Sequence, residues 1–132
     1  MTDPRGYAET VQRASQLAER GDREGAIVLF RGLLATDISD VDKAMMCLNI
    51  AVVYQQMGRI DEALAAYEAG AAYERRHGRF YVAEMKAAFL ATHGRDRESL
   101  LEYQELLGRA ELTEADKERI RRNIETLRAR SG

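Results

Sequence analysis

The sequence contains very little proline, cysteine or aromatic residue. Its 132 residues include one proline, one cysteine and no tryptophan, and aromatic residues make up only 7%. So little proline, beside twenty alanines, argues against a loop-rich β-sandwich and for a chain built almost wholly of helices. Disorder is excluded, because 45% of the residues are hydrophobic and the net charge is only −2. The composition predicts one all-α globular domain over residues 1–132.

The chain also lacks a long hydrophobic run. No stretch approaches the ~20 consecutive apolar residues that a membrane span needs, and no apolar segment typical of a signal peptide follows Met1. The lone cysteine, Cys47, has no second cysteine with which to form an internal disulfide, which fits a reducing compartment. We therefore expect a cytoplasmic protein without a membrane anchor.

Residues that could carry catalysis or bind a metal are few and scattered. The two histidines, His77 and His93, each precede a glycine and have no second ligand one helical turn away, so we interpret them as helix-end residues. Cys47 has no histidine near it in sequence, which indicates a buried thiol rather than a nucleophile. No glycine-rich phosphate loop occurs. The sequence therefore predicts no enzyme activity, no metal site and no cofactor.

Three segments of the chain repeat one pattern at offsets of 37 and 36 residues, around Gly21, Gly58 and Gly94. Before each glycine, a small residue stands at position −7 and a large apolar residue at position −4. After each glycine, a small residue stands at position +5 and an aromatic residue at position +9. These columns are Ala14, Ala51 and Ala87; Leu17, Tyr54 and Leu90; Ala26, Ala63 and Ser99; and Phe30, Tyr67 and Tyr103. Glycine ends helices, and small residues on both partners let antiparallel helices approach closely. The pattern predicts three helical hairpins.

These columns resemble the tetratricopeptide repeat, a helical hairpin of about 34 residues. The resemblance implies a right-handed α-solenoid of three antiparallel hairpins, with repeats at about 7–40, 44–77 and 80–113. A seventh helix, at about 114–130, would cap the last apolar face. We expect the other helices near 4–20, 23–36, 40–57, 60–76, 79–92 and 96–108. The chain departs from the family in its longer spacing, in Ile38 and Arg75 where a proline is usual, and in Gly70 where an alanine is usual.

In the family that this sequence resembles, the first helices of successive hairpins line a groove that holds an extended peptide or a partner's helix. The resemblance places eleven side chains there, with Glu19 and Ala88 beside them: Val11, Gln12, Ser15, Met45, Leu48, Asn49, Val52, Gln56, Tyr81, Glu84 and Met85. Asn49 matches an asparagine that binds the ligand's backbone in peptide-binding members, a role that suits an amide because it both donates and accepts hydrogen bonds.

The resemblance also implies a negative prediction. Members that clamp the terminal carboxylate of a chaperone use two lysines, two asparagines and an arginine. The matching positions here are Val11, Ser15, Asn49, Tyr81 and Met85. Only Asn49 agrees with the clamp, and without cations there is no charge-assisted pairing for a terminal carboxylate. We therefore expect no binding of acidic chaperone tails.

Two other functions stay open at this point. Residues 113–132 hold six basic and four acidic side chains, which could form a nucleic-acid patch around Lys117, Arg119, Arg121 and Arg122. Acidic residues interleave with them at about one helical turn and no aromatic lies near to stack on a base, so a solvated helix face is the preferred interpretation. A second copy of the chain could instead cover an apolar groove and make a homodimer, or one of the chain's own termini could occupy it. The favoured hypothesis is a non-enzymatic module that binds a protein or peptide partner of unknown identity.

Overall fold

A computed structural model describes residues 3–131, and of Ser131 only the backbone. The helices in this range are α1 (Pro4–Glu19), α2 (Arg23–Leu34), α3 (Asp40–Gln56), α4 (Ile60–Arg75), α5 (Tyr81–Thr92), α6 (Asp96–Leu107) and α7 (Glu114–Ser131). No strand occurs among these residues, and the all-α prediction is confirmed. Each helix begins and ends within two residues of the bounds expected from the sequence.

The first helix of each hairpin ends at a repeat glycine with one hydrogen-bond arrangement. Gly21, Gly58 and Gly94 have φ of 93°, 74° and 75°, in the left-handed region that favours glycine. The backbone N–H of the residue after each glycine donates to the carbonyl of the large apolar residue four before it. These bonds run from Asp22 to Leu17 (2.8 Å), from Arg59 to Tyr54 (3.0 Å) and from Arg95 to Leu90 (2.9 Å). This is the Schellman arrangement, which satisfies carbonyls that the helix leaves open.

The small residues of the two alanine columns lie at the helix crossings. All six are fully buried: Ala14, Ala26, Ala51, Ala63, Ala87 and Ser99. At the third crossing the hydroxyl of Ser99 donates to the carbonyl oxygen of Ala87 at 2.7 Å, which joins α6 directly to the backbone of α5. The aromatic column, Phe30, Tyr67 and Tyr103, is buried beside these crossings. The three close hairpins expected from the repeat are therefore present.

Consecutive helices pack against each other along the whole array, from α1 against α2 to α6 against α7. The last helix, α7, buries the narrow stripe formed by Ile120, Ile124 and Leu127, as its sequence pattern predicts. These three residues share a hydrophobic cluster with residues of α5 and α6. None of the helices in the described part of the chain combines the length and hydrophobicity needed to cross a bilayer.

The helix α4 passes very close to its neighbours at Gly70. A Cβ atom at this position would lie 3.0 Å from the Cβ of Cys47 on α3, 3.0 Å from Cγ1 of Val82 on α5 and 3.2 Å from the carbonyl oxygen of Ala44. This contact explains why glycine stands where the family usually has alanine. The Cys47 thiol is buried at the same place, and burial raises its pKa, so it is the inert core thiol that the sequence indicates.

Candidate functional site

A cavity of about 470 Å³ opens on the side of the molecule formed by α1, α3 and α5, with the beginning of α2 as a further wall. We call it the groove cavity. Its lining is Ser15, Ala18, Glu19, Arg23, Phe30, Leu48, Asn49, Val52, Val53, Gln56, Tyr81 and Met85. The walls are mostly apolar, and the Tyr81 side chain, 55% exposed, stands at one end. Concave sites of this size and composition are the usual places where proteins hold a ligand.

The helical repeat of α3 explains how one helix supplies the floor of the cavity. Leu48, Val52 and Gln56 follow one another at four-residue spacing, so their side chains form one row on the helix surface. The opposite face of α3 carries Ile50 and Tyr54, which are buried in the core. The core therefore holds the helix in a fixed orientation and leaves the Leu48 row turned toward the cavity.

The structure brings together seven of the eleven side chains expected in a groove: Ser15, Leu48, Asn49, Val52, Gln56, Tyr81 and Met85 line the cavity. The other four lie outside its lining. Val11 and Met45 are half-buried and pack against the main hydrophobic core, and Gln12 is exposed on α1. Glu84 lines an adjoining cavity instead.

Four residues of the lining were not indicated by the sequence: Ala18, Arg23, Phe30 and Val53. Phe30 was assigned to the buried aromatic column, and Val53 belongs to the buried face of α3. Arg23 is the first residue of α2, two positions after Gly21, and the sequence pattern assigns it no role. A signal was present, because the aligned residue of the second repeat is Ile60, which packs against the core.

The polar side chains of the cavity carry two amides, two hydroxyls and two charged groups. Within the described chain, the side-chain amides of Asn49 and Gln56 form no hydrogen bond, so both keep their donors and acceptors available. Arg23 supplies the positive charge of the wall and Glu19 the negative one. The cavity thus combines apolar walls with a few free polar groups and no excess of one sign of charge.

A second cavity, of about 450 Å³, adjoins the first between α5, α6 and α7. Tyr81 and Met85 line both cavities. The carboxylate of Glu84 accepts two hydrogen bonds from Arg119 of α7, at 2.7 and 2.8 Å. These bonds raise the pKa of the Arg119 guanidinium further, and the arginine also pairs with Asp116 at 3.0 Å. The last helix is therefore part of the same face, and the charge of Glu84 is already neutralised.

The basic side chains of α7 are largely engaged within the protein. Four of the six form ion pairs: Lys117 with Glu114 (3.5 Å), Arg119 with Glu84 (2.7 Å), Arg122 with Glu118 (2.7 Å) and Arg130 with Asp96. Since two of these pairs tie α7 to α5 and α6, the structure supports a solvated, structurally paired face over a phosphate-binding patch.

Both histidines have partners within the protein. His77 Nε2 lies 3.0 Å from Oδ2 of Asp40, and this hydrogen bond lowers the pKa of Asp40. The ring of His93 packs on that of Phe89, with 4.6 Å between centroids. Over residues 3–131, no group of three or more histidine, cysteine, aspartate or glutamate side chains could hold a metal ion.

Comparisons with known proteins give matches in structure. No family model matches the chain, and no curated protein has a matching sequence. The crystal structure of PcrH, in complex with the chaperone binding region of PopD, superposes with a TM-score of 0.71 at 17% sequence identity, covering 99% of this chain and 97% of that one. The type III secretion translocator chaperone SycD of Yersinia enterocolitica gives a TM-score of 0.66 at 20% identity, covering 99% and 89%. The chain shares the all-helical fold of these proteins, which is consistent with a tetratricopeptide-like arrangement.

Proposed function

We propose that this protein is a non-enzymatic interaction module that binds an extended peptide segment of a partner protein in the groove cavity. The observation that carries the proposal is the cavity itself, an apolar concavity of about 470 Å³ built from three successive hairpins. The likeness to PcrH supports it, because that protein was crystallised with a segment of another protein, the chaperone binding region of PopD.

The lining suggests how such a segment would be held. Apolar side chains of the segment would bury surface against Leu48, Val52 and Met85, and this burial would provide most of the affinity. The free amides of Asn49 and Gln56 would bond the segment's backbone and set its orientation. A partner's amphipathic helix is the other form such a segment could take.

The test begins with a displayed library of short random peptides selected on the wild-type protein. The affinity of the selected peptides is then measured by fluorescence anisotropy for wild type and for Val52→Glu. Val52 lines the cavity and is 36% exposed, so a carboxylate there would be desolvated by an apolar peptide, and we expect at least about a tenfold weaker affinity.

The matched control is Val28→Glu, which introduces the same charge on α2 at a valine that is 67% exposed and outside the cavity lining. Binding should be unchanged in this variant. Circular dichroism and unfolding midpoints confirm that both variants are folded. If the library yields no binders, or if Val52→Glu binds the selected peptides as tightly as Val28→Glu does, the groove cavity is not the binding site.

A further inference from the structure

The guanidinium of Arg23 stands out among the polar groups of the groove cavity. Its Nε is buried and has no hydrogen-bond partner within residues 3–131, and no ion pair joins its side chain to that part of the chain. A buried guanidinium N–H without an acceptor is costly, so most such groups in proteins are satisfied. Arg23 also lines the cavity, so this side chain borders the space that a ligand would occupy.

The two later repeats show how an arginine in this turn is normally satisfied. Arg59 and Arg95 each follow the repeat glycine directly, and each pairs with a glutamate three residues on. The Nε of Arg59 donates to Glu62 at 2.7 Å, and the Nε of Arg95 donates to Glu98 at 2.8 Å. In both turns the chain itself supplies the carboxylate that the guanidinium needs.

The first repeat lacks this pair. In the alignment of the repeats, Asp22 stands at the position of Arg59 and Arg95, and Gly25 stands at the position of Glu62 and Glu98. The side chain of Asp22 accepts a hydrogen bond from the backbone N–H of Gly25 at 2.9 Å. The arginine stands one residue later, at position 23, where the second repeat has the partly buried Ile60. The neighbouring Glu24 is turned to Arg59, 3.4 Å away. The turn therefore places an arginine on the wall of the cavity and provides no carboxylate for it.

We propose that Arg23 receives the side-chain carboxylate of an aspartate or glutamate in the bound peptide, placed next to the apolar residue that fills the cavity. This inference rests on the proposed function. With the side chain turned so that Nε faces the cavity, a carboxylate approaching side-on accepts from Nε and from one Nη at once, which gives Nε the acceptor it lacks and fixes the direction of the peptide. Arg23 is thus a specificity-determining residue for acidic–apolar segments.

The carboxylate belongs to a side chain within the segment and not to a chain end. The groove cavity continues into the adjoining cavity past Tyr81 and Met85, which line both, so an extended chain runs along this face. Arg23 is on α2 and stands outside the clamp positions, so acidic chaperone tails are still expected not to bind.

The test repeats the peptide selection on wild type, Arg23→Gln and Arg59→Gln. Glutamine removes the charge and keeps a polar side chain, and Arg59 is the matched control because its guanidinium is paired within the chain. We expect peptides from wild type and Arg59→Gln to share an acidic residue at a fixed spacing from an apolar one. Peptides from Arg23→Gln should keep the apolar residue and lose the acidic preference.

Affinities make the result quantitative. Replacing the acidic residue of a selected peptide by its amide should weaken binding to wild type about tenfold and leave binding to Arg23→Gln unchanged. Glu19→Gln removes the carboxylate on the same wall and should tighten binding of acidic peptides about threefold. A peptide with an amidated C-terminus should bind as well as the free acid.

The outcomes separate this inference from the proposed function. The role of Arg23 is wrong if the selected peptides need Val52 but show no preference for an acidic residue. It is also wrong if that preference persists in Arg23→Gln. In both cases the groove cavity remains the proposed binding site. Loss of binding on amidation of the C-terminus overturns the side-chain source in favour of a chain end. If no peptide depends on Val52, both proposals fail together.

Discussion

The first and third hairpins have the same architecture but are held in place differently. Both helices of the first hairpin are capped by their own aspartates, Asp3 on α1 and Asp22 on α2. In the third hairpin, the residues at the corresponding positions, Phe80 and Arg95, form no side-chain cap. The first hairpin is thus specified by its local sequence, whereas the third depends on groups from other parts of the fold.

The first helix of the third hairpin, α5, takes its missing cap from the preceding helix. Glu74, in the last turn of α4, is buried, and its carboxylate accepts the N–H of Val82 in the first turn of α5 at 2.5 Å. Burial raises the pKa of Glu74, against the opposing effects of that hydrogen bond and of the positive charges of Arg79 and Arg109. The self-contained hairpin is also the one whose turn holds an arginine, Arg23, with its Nε unpaired within residues 3–131.

We expect the largest loss of unfolding free energy from large side chains that push the two helices of a hairpin apart at their crossing. Ala26 and Ser99 occupy equivalent, fully buried positions, and replacing Ala26 by leucine should cost about 2–3 kcal/mol of unfolding free energy through overpacking. Ser99→Leu should cost about 1 kcal/mol more, because it also removes the hydrogen bond to Ala87. Urea unfolding measures both.

Ala8→Leu, at an exposed position on α1, is the control for the added bulk. Its unfolding free energy should stay close to that of wild type. If Ala26→Leu is no less stable than Ala8→Leu, the first hairpin does not cross as closely as the third, and their architectural equivalence fails.

The sequence predicts well those features that are determined by residues close together in the sequence, namely the helix bounds and the helix crossings. Helix bounds follow from capping residues and from the repeat glycines, and the crossings follow from columns of small residues. The largest shift at a helix start is at α5, expected near residue 79 and found at Tyr81. The turn after α4 explains it, because Gly78 has φ of 66° and the N–H of Arg79 bonds the carbonyl of Glu74.

The cavity is predicted less completely, because it depends on how the helices are staggered. The resemblance to the tetratricopeptide repeat places the same helix positions of every hairpin in the groove. The cavity instead crosses the three first helices diagonally. It takes residues 15–19 from the end of α1, 48–56 from the second half of α3 and 81–85 from the start of α5. Val11 and Met45 therefore fall one turn short of it. Arg23 and Phe30 enter from α2. The repeat alignment with Ile60 and the aromatic column indicate that these two side chains are partly or fully covered, but the position of α2 beside the cavity is a tertiary property.

The first hairpin has a helix cap made by its own aspartate, and the third has one supplied by a neighbouring helix; removing each cap should cost a different amount of unfolding free energy. Asp22→Ala removes a cap made within the first hairpin and should cost about 1 kcal/mol. Glu74→Ala should cost about 2 kcal/mol, because it also leaves the Val82 N–H buried without an acceptor. Equal losses in urea unfolding would remove the distinction between local and borrowed caps.

The charge of Glu74 gives that cap a pH dependence. Because its pKa is raised in the folded protein, its contribution to stability is full below about pH 4.3, where glutamate titrates in the unfolded chain, and is lost as the pH rises through the folded pKa. Glu74→Gln keeps an acceptor for Val82 and has no charge to desolvate. Its unfolding free energy relative to wild type should therefore rise from about pH 4 to pH 8, and a difference that stays constant over this range contradicts the raised pKa.

The smallest changes in unfolding free energy, of opposite sign, are expected when two helical glycines are replaced by alanine. One glycine lies in the first hairpin, and the other packs against the third. Gly32 on α2 has open space where a Cβ would be, so Gly32→Ala should stabilise the protein by about 0.5–1 kcal/mol through helix propensity alone. At Gly70 the same change places the Cβ 3.0 Å from Val82 of α5 and from Cys47. Overpacking there should outweigh the propensity gain and leave Gly70→Ala about 1 kcal/mol less stable than wild type. Stabilisation in both variants would mean that α4 and α5 can move apart at little cost, so that the third hairpin is no more dependent on its neighbours than the first.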